Sequence, residues 1–389
     1  MKTDSRIISF ALGSAIFLAA CAEPNGTRTH HGVQAVTHVN SKVIHQPSDD
    51  FLAKMTQTER FTGNALVMRG NNVIHAQAYG NATDEMANQL NTVFHVGSVT
   101  KQFTAAAIMQ LVERGSLKLD DSINDCLPAK YRSGNWSDVR VRHLISHTSG
   151  IPDYAVSREY YDVTDGWAFD DTVDGMIREA MRQELEFVPG ADFEYSNIGY
   201  TILGEIIEEQ TGSLYTDFIQ ENLLDPVGMT HSHIRVEDHL PLPYEATGFR
   251  WNEDENRHTR DEVVSLPVTS PDGGLATTLN DFIKWIAVYR GMQHPRLSKA
   301  SLERMMQHSI PDGSYDWPEE GLRGNTSYGF GLTLSGDLIS HPGMIVGFQS
   351  HFIYDRKADL LVVVFTNNIT NDVIKITSKL FRIHDSLNQ

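Results

Sequence analysis

Apolar runs of strand length lie toward both ends of the chain, and helix-like sequence separates them. Toward the start, runs at 64–68 and 73–78 flank the turn sequence Arg69-Gly70-Asn71-Asn72, which predicts a β-hairpin. Three later apolar runs lie at 328–334, 348–354 and 360–366. Helical patterns and loops dominate up to about residue 279, and the pattern of 371–387 predicts a closing amphipathic helix. We therefore predict an α/β fold of the α+β kind, in which both ends of the chain build one antiparallel sheet, flanked by helices, with an inserted helical lobe.

The charge of the chain excludes one class of partner. The 389 residues include 50 acidic and 32 basic side chains, which gives a formal net charge of -18. This charge opposes attraction to phosphate backbones, and no Lys/Arg-rich run provides a local exception. We therefore expect no nucleic-acid partner.

The N-terminus has the pattern of an export signal. Lys2 and Arg6 precede an apolar stretch that is short for a bilayer span but has the length typical of a secretory signal peptide. The stretch ends in Leu18-Ala19-Ala20-Cys21, which resembles the lipobox of bacterial lipoproteins. The resemblance implies that residues 1–20 are removed as a lipoprotein signal peptide and that the thiol of Cys21 is lipidated, which anchors the chain to a membrane. A plain signal peptide cleaved near Ala22 is the alternative.

The residues after Cys21 indicate a destination and a linker. Ala22, rather than aspartate, follows the cysteine, which resembles outer-membrane sorting in Gram-negative bacteria. We therefore expect an exported bacterial lipoprotein that faces the periplasm, at the outer membrane. Residues 21–50 are rich in His, Thr, Asn, Gly and Pro without periodicity, which is typical of a flexible linker, and 51–389 would form the folded domain.

The spacing of cysteines and histidines predicts neither a disulfide nor a metal site. A lipidated Cys21 leaves Cys126 without a disulfide partner, and we expect Cys126 to be a small buried residue. His30 and His31 lack a third ligand of suitable spacing. We expect no metal and no other cofactor.

Three short motifs, taken in their order along the chain, indicate a catalytic function. Ser98-Val99-Thr100-Lys101 opens an apolar helix, Tyr195-Ser196-Asn197 follows much later, and His341-Pro342-Gly343 lies near the C-terminus. Each motif alone is weak evidence, because short patterns recur by chance. Together, in this order, they suggest a serine hydrolase that works through an acyl-enzyme.

The first motif can pair a nucleophile with a base. Residues three apart lie on one face of a helix, so the hydroxyl of Ser98 and the amine of Lys101 can meet. A partly desolvated lysine can accept the serine proton, or lower the pKa of a tyrosine that does. The helix N-terminus favours an oxyanion. The alternative is an N-capping Ser98 with a solvent-facing Lys101.

The second motif can supply the partners of this pair. Alternate residues in an extended segment share a face, so Tyr195 and Asn197 can point the same way. Tyr195 can take the serine proton and pass it to the leaving group, and Asn197 can position Lys101 and a substrate amide. The alternative is a buried tyrosine followed by an N-capping asparagine.

Longer blocks around these motifs resemble a known family. The blocks are FTGNALVMRGNNVIHAQAYG, VFHVGSVTKQFTAAAIMQLVERGSLKLDDSI, VRHLISHTSGIPDY, FEYSNIGYTILGEIIEEQTG, PDGGLATTLNDFIKW and HPGMIVGFQSHFIYD. They are similar to the serine β-lactamase-related family, which includes class C β-lactamases, DD-carboxypeptidases, D-aminopeptidases and esterases. The resemblance covers 51–389 and implies a β-lactamase/transpeptidase-like fold, with the site in the cleft between a sheet lobe and a helical lobe.

The resemblance also implies a role for each motif residue. Ser98 would be the nucleophile, Lys101 and Tyr195 its acid/base partners, and Asn197 a positioning residue. The backbone N–H groups of Ser98 and Met344 would form the oxyanion hole.

The third motif departs from the K-T-G of the antibiotic-degrading members. His341 replaces the lysine with a titratable imidazole, and Pro342 offers no hydroxyl, so the motif lacks the groups that bind a substrate carboxylate. An H-x-G form is similar to that of D-aminopeptidases and of some DD-peptidases and esterases. Proline also suits an edge strand, where an extended substrate would dock beside Gly343 and Met344.

We therefore expect a hydrolase that cleaves an amide or ester through a Ser98 acyl-enzyme. Small molecules or peptides are the expected substrates, with D-residue-containing peptides and cell-wall fragments favoured. The alternatives are a promiscuous esterase or β-lactamase, an acyl transferase, and a penicillin- or peptidoglycan-binding sensor without turnover.

Overall fold

The computed structural model describes residues 39, 41–153, 172–235, 242, 244–261, 270–309 and 326–385. The α-helices in these residues are α1 (Gln46–Thr58), α2 (Lys101–Glu113), α3 (Ile123–Cys126), α4 (Val141–Ile145), α5 (Val173–Arg182), α6 (Asn197–Thr211), α7 (Tyr215–Ile219), α8 (Ser270–Gly273), α9 (Leu279–Tyr289), α10 (Lys299–Met305) and α11 (Val373–Asp385). The strands are β1 (Gly63–Arg69), β2 (Asn72–Tyr79), β3 (Phe94–His95), β4 (His233–Ile234), β5 (Phe249–Asn252), β6 (Arg257–Arg260), β7 (Leu275–Thr277), β8 (Ser327–Tyr328), β9 (Thr333–Ser335), β10 (Leu338–Ile345), β11 (Phe348–Asp355) and β12 (Leu360–Thr366).

Both ends of the chain build one antiparallel sheet, as predicted. Its seven strands lie in the order β2-β1-β12-β11-β10-β9-β8, so the N-terminal hairpin pairs with the last strand of the chain. The helices α2 to α10 lie between the two groups of strands in sequence. The prediction of an antiparallel sheet flanked by helices, with an inserted helical lobe, is therefore confirmed.

The continuous apolar sequence of β12 follows from burial on both faces of the sheet. Leu360, Val362 and Val364 pack in one core cluster with residues of α1 and α11. The alternate residues Leu361, Val363 and Phe365 pack in the other cluster, with residues of α2 and α9. Neighbouring strand residues point to opposite faces, so a central strand covered twice needs no polar face.

The predicted strand at 328–334 is wrong in detail. Two short strands, β8 and β9, occupy this region, and a turn separates them. A Cβ on Gly329 would lie 2.2 Å from the Met305 carbonyl oxygen. A Cβ on Gly331, whose φ is +68°, would lie 2.6 Å from the backbone of Lys101 and Gln102. Gly329 thus lets this turn approach the end of α10, and Gly331 lets it approach the start of α2.

The folded part begins before residue 51. Helix α1 starts at Gln46, and Val43 exchanges backbone hydrogen bonds of 3.0 and 2.8 Å with Ala76 of the edge strand β2. The side chain of Asn280 accepts a hydrogen bond of 2.7 Å from the Val39 amide. The predicted linker therefore ends earlier than residue 50, because these contacts fix the chain from Val39.

Other predictions about the N-terminus lie outside the described residues. These are the signal peptide at 1–20 and the lipidated Cys21. None of the helices in the described ranges is both long and apolar enough to cross a membrane. Cys126 is buried, as expected.

Histidines attach α1 to the sheet and to α11. The His45 amide donates to Nδ1 of His75, so this nitrogen must be unprotonated. The buried hydroxyl of Ser48 lies 3.1 Å from Nδ1 of His45 and 2.9 Å from Nε2 of His384. The rings of His45 and His384 are 4.5 Å apart. These contacts favour the neutral forms of His75 and His384, because an added proton would face another donor or another cation.

Acidification is therefore expected to weaken the docking of α1. Burial lowers the pKa values of His75 and His384 to about 4, against 6.5 for an unperturbed imidazole. Unfolding then takes up protons between these values, so stability is lost as the pH falls from 6.5 toward 4. For His75 we expect a loss of roughly 1–3 kcal/mol in urea unfolding across this window. His75→Gln should flatten the pH dependence, and an unchanged slope would contradict the interpretation.

Candidate active site

The predicted nucleophile lies on a single 3-10 turn that leads into α2. Gly97–Thr100 forms this turn, and Gly97 has a φ of +51°. The Thr100 hydroxyl donates to the Gly97 carbonyl at 2.7 Å and accepts from the Leu275 amide at 2.9 Å. Both ends of the turn are thus fixed, and Ser98 is held between β7 and the regular helix.

Lys101 is completely buried beneath Ser98. Its ammonium group donates to Ser98 Oγ at 3.1 Å, to Asn197 Oδ1 at 2.8 Å and to the Asp272 carbonyl at 2.9 Å. The side chain is 0% exposed, so the alternative of a solvent-facing lysine is wrong. Burial lowers the pKa of Lys101 to about 8, and the carboxylates of Asp272 and Asp153 oppose this shift.

Tyr195 and Asn197 both face Lys101, from either side of Ser196. Asn197 is the first residue of α6, and the Ser196 hydroxyl accepts from the Gly199 amide as the N-cap. Ser196 itself has an extended backbone, with φ of -134° and ψ of 115°, so the predicted alternation holds at the point where the chain enters the helix. The ring centre of Tyr195 lies 4.9 Å from the Lys101 nitrogen. Burial raises the pKa of the Tyr195 phenol well above 10, although a hydrogen bond with Ser98 opposes the shift.

Asp153 and His147 hold the second motif in place, and neither was predicted as a site residue. The Asp153 carboxylate accepts from the Asn197 side chain at 3.0 Å and from the Ile198 amide at 2.9 Å. This fixes the Asn197 amide so that its oxygen faces Lys101. The ring of His147 stacks on Tyr195 at 4.3 Å, and its Nδ1 accepts from the Ser196 amide at 3.1 Å.

Removing the negative charge of Asp153 should disturb this arrangement. Asp153→Asn presents an NH₂ group to one of two buried donors, so one hydrogen bond is lost. We expect a decrease of about 1–3 kcal/mol in the free energy of unfolding, because a buried donor is left without an acceptor. Urea denaturation measures this change, and unaltered stability would show that Asp153 does not clamp Asn197.

His341 lies beside the cluster as a neutral group. Its Nδ1–H donates to the Pro342 carbonyl at 2.6 Å, and its Nε2 accepts from the Tyr328 hydroxyl at 2.8 Å. The residue is 1% exposed, and burial, followed by the charge of Lys101, lowers its pKa to about 3. The titratable imidazole of the third motif is therefore held neutral, because both ring nitrogens are engaged away from water.

Replacing His341 is thus expected to leave the pH dependence of the site unchanged. We expect His341→Asn to lower the acylation rate by less than 10-fold, because the imidazole carries no charge to lose. The shape of the rate profile between pH 5 and 8 should match that of the unaltered protein. An ionisation near pH 6–7 that disappears in the variant would contradict this interpretation.

The strand β10 is open on one side where it passes Ser98. Its full length pairs with β11, whereas β9 pairs only with Leu338–Ser340. The edge position predicted from Pro342 is therefore partly right: β10 lies inside the sheet, but among the described strands none pairs with its second half on the side opposite β11. Pro342 has no N–H and so cannot donate to β11. In an antiparallel pair, alternate residues direct their backbone groups toward the partner strand or away from it. Pro342 and Met344, two residues apart, therefore both direct theirs away from β11.

The backbone of this open half lies against the Ser98 turn. A Cβ on Gly97 would lie 2.7 Å from the Met344 nitrogen, and a Cβ on Gly343 would lie 3.1 Å from the Ser98 nitrogen and 2.0 Å from the Val96 carbonyl. The two glycines therefore allow the N–H groups of Ser98 and Met344 to lie close together. Met344 is 65% exposed, so its side chain borders open space.

Comparison with known proteins identifies the family. The sequence model of the Beta-lactamase family matches residues 49–374. The chain belongs to this family. A penicillin-binding protein of Bacillus subtilis is 29% identical over 327 residues, which cover 76% of this chain and 66% of the relative. Protein flp of Staphylococcus aureus is 26% identical over 330 residues, covering 81% and 61%. The chain thus spans less than two thirds of the length of these relatives.

Solved structures agree with the Beta-lactamase family assignment. The octameric penicillin-binding protein homologue from Pyrococcus abyssi superposes with a TM-score of 0.77 at 27% identity, covering 87% of this chain and 77% of that one. The D-amino acid amidase from Ochrobactrum anthropi SV3 gives a TM-score of 0.71 at 22% identity, covering 88% and 97%. At this identity, the similarity to the amidase shows a shared fold. The fold class predicted from the sequence is confirmed.

Proposed function

We propose that the protein is a serine hydrolase that cleaves an amide or ester through an acyl-enzyme on Ser98. The observation that supports this most strongly is the environment of Lys101: a buried lysine with a pKa of about 8, hydrogen-bonded to Ser98. A lysine of this kind is partly neutral near pH 8 and can act as a base.

The hydrogen bonds of Lys101 suit its neutral form. Asn197 Oδ1 and the Asp272 carbonyl accept but cannot donate, so they hold two amine hydrogens. The third position on the nitrogen faces Ser98 Oγ, and in the neutral amine it carries the lone pair. Lys101 can then take the Ser98 proton while the oxygen attacks the substrate carbonyl.

The remaining residues account for the rest of the acylation. The N–H groups of Ser98 and Met344 would stabilise the oxyanion of the tetrahedral intermediate. Tyr195, whose phenol keeps its proton because it is buried, would protonate the leaving group and recover the proton held by Lys101. Water would then attack the ester on Ser98 and release the acid, with the same groups transferring its proton.

The third motif favours substrates that need no cation there. His341 is buried and neutral, and Pro342 has no hydroxyl, so neither would pair with a substrate carboxylate. D-residue-containing peptides, amides and cell-wall fragments are the proposed substrate class, supported by this motif and by the similarity to penicillin-binding proteins. A promiscuous esterase is the second candidate, because the exposed Met344 leaves apolar surface beside the open half of β10.

We also propose a location at the periplasmic face of a membrane, through a lipid on Cys21. The motif Leu18-Ala19-Ala20-Cys21 supports this proposal. Cys21→Ser should release the protein from the membrane fraction, and retention of the variant would contradict the proposal.

Time-resolved intact-mass measurement tests the hydrolase. Purified protein mixed with an activated acyl ester should show a transient adduct of the acyl mass that decays as product appears. Ser98→Ala should form no adduct. A persistent adduct would favour a sensor, and a transfer product in the presence of an added amine or alcohol would favour an acyl transferase. Absence of any adduct with esters and D-amino-acid amides would contradict the acyl-enzyme.

A further inference from the structure

Asp272 contacts Lys101 twice, once through its backbone and once through its side chain. Its carbonyl oxygen accepts from the lysine nitrogen at 2.9 Å, and its carboxylate Oδ2 lies 3.9 Å from the same atom. The residue is 4% exposed. It lies on the short helix α8, far from Lys101 in sequence.

Neighbouring helices hold α8 in this position. The Thr104 hydroxyl of α2 donates to the Pro271 carbonyl at 2.5 Å. On the other side α6 lies so close that a Cβ on Gly204 would be 2.3 Å from the Pro271 side chain. Because α2 and α6 both fix α8, the Asp272 carboxylate keeps its distance from Lys101.

In the described part of the chain, the polar groups around Lys101 come from several elements, and most of them are neutral. They are Ser98 on the 3-10 turn, Tyr195 just before α6, Asn197 and Tyr200 in the first turn of α6, His147 and Asp153 on the preceding loop, His341 on β10, and Asp272 on α8. Burial keeps both histidines uncharged. Within the described residues the carboxylates that act on Lys101 are therefore those of Asp272 and Asp153.

The two carboxylates differ in what they bind. Asp153 accepts two hydrogen bonds from neutral donors, the Asn197 side chain and the Ile198 amide, and reaches Lys101 through Asn197. Asp272 lies at ion-pair distance from the lysine nitrogen. Asp272 is thus placed as the counter-charge of the Lys101 ammonium.

We infer that the Asp272 carboxylate sets the pH at which Ser98 becomes reactive, by stabilising the charged form of Lys101. Asp272 is a positioning residue in this role, since it acts only through Lys101. The inference rests on the proposed function, in which neutral Lys101 takes the Ser98 proton. A counter-charge within about 4–6 Å favours the ammonium, so it moves activation to higher pH.

The sign of the effect follows from this arrangement. Burial lowers the pKa of Lys101, and the Asp272 carboxylate opposes this shift. Without the carboxylate the pKa falls further, so the neutral amine forms at lower pH. Asp272→Asn keeps the backbone carbonyl that accepts from Lys101 and removes only the charge. The ascending limb of Ser98 reactivity should therefore move to lower pH, by roughly 1–3 pH units for a close charge pair.

Labelling of the purified full chain with a fluorophosphonate tests the inference without requiring turnover. Ser98 Oγ forms the bond to phosphorus, fluoride leaves, and Lys101 takes the hydroxyl proton. The pseudo-first-order rate of labelling is measured from pH 5 to 10 for the unaltered protein and for Asp272→Asn. Asp281→Asn is the matched control, because Asp281 is also buried and paired with a lysine, Lys284, at 2.8 Å. Thermal melting reports whether each variant is folded.

The inference is supported if the labelling rate rises at lower pH in Asp272→Asn than in the unaltered protein, and at unchanged pH in Asp281→Asn. Asp272→Ala, which also keeps the backbone carbonyl, replaces the asparagine variant if that variant does not fold. A folded variant that labels with an unchanged limb overturns the inference while the Ser98 nucleophile stands. Failure of the unaltered protein to label at any pH contradicts the proposed function itself, and this inference with it.

Discussion

Lys101→Met is expected to slow acylation of Ser98 by roughly 10³-fold or more. Methionine keeps most of the side-chain volume in a site with no exposure to solvent, but removes the nitrogen that meets Ser98, Asn197 and Asp272. Neither the Tyr195 phenol nor the His341 imidazole can then replace it as a base near neutral pH, because burial raises the pKa of the phenol and lowers that of the imidazole.

The adduct formed with an activated ester, followed by intact mass, measures the loss. Lys284→Met is the control, since Lys284 is also partly buried and binds the Gly228 carbonyl and Asp281 away from Ser98. We expect Lys284→Met to acylate at the normal rate even if it melts earlier. Acylation of folded Lys101→Met within 10-fold of the normal rate would remove Lys101 from the proposed base role.

Gly343→Ala is also expected to slow acylation of Ser98 strongly. The added methyl group changes the geometry of the site without removing a reacting group. The added Cβ would lie 2.0 Å from the Val96 carbonyl oxygen and 2.6 Å from the Ser350 hydroxyl. That hydroxyl donates to the same Val96 oxygen at 2.7 Å, so the three groups leave no room for a methyl. Strand β10 must then move away from the Ser98 turn. Since the loss of one oxyanion donor lowers kcat by about 10²–10³-fold, we expect a decrease of at least that order.

Single-turnover acylation and thermal melting together measure this effect. Gly134→Ala is the control, because a Cβ on Gly134 meets nothing within 4 Å and the residue has an ordinary φ. Overpacking of this kind also lowers stability, by about 1–3 kcal/mol. Normal acylation by folded Gly343→Ala would show that the contact between β10 and the Ser98 turn is not required.

The site residues that could be predicted from the sequence are those that lie only two or three positions from a partner in the same motif. Ser98 and Lys101 meet because they are three residues apart at a helix start. Tyr195 and Asn197 meet Lys101 from either side of Ser196, whose backbone is extended as the alternation requires and whose hydroxyl is also the N-cap of α6. Local rules therefore sufficed here.

The residues that were missed act across long stretches of chain. Asp272 meets Lys101 over 171 residues, and Asp153 meets Asn197 over 44. No periodicity links such positions, because packing of α2, α6 and α8 brings them together. The neutral state of His341 was also not foreseen, since it depends on burial and on the hydroxyl of Tyr328.

The hairpin of β5 and β6 was missed for a different reason. Its sequence, FRWNEDENRHTR, is strongly polar, and only Phe249 in its strands is buried. Alternation of apolar and polar residues cannot mark a hairpin with so little core contact. Gly248 nevertheless packs against Gly347 in the β10–β11 turn, which fixes this element beside that turn.

The short segment that precedes α1 covers part of one edge of the sheet. The strand β2 forms one edge of the sheet, and Val43 occupies the backbone groups of Ala76 on that edge. An uncovered edge is a template for pairing with a second chain. A shortened protein that begins at residue 46 would lose this cover together with the Val39 contact, and its tendency to aggregate would come from an exposed strand, independent of any change in Ser98.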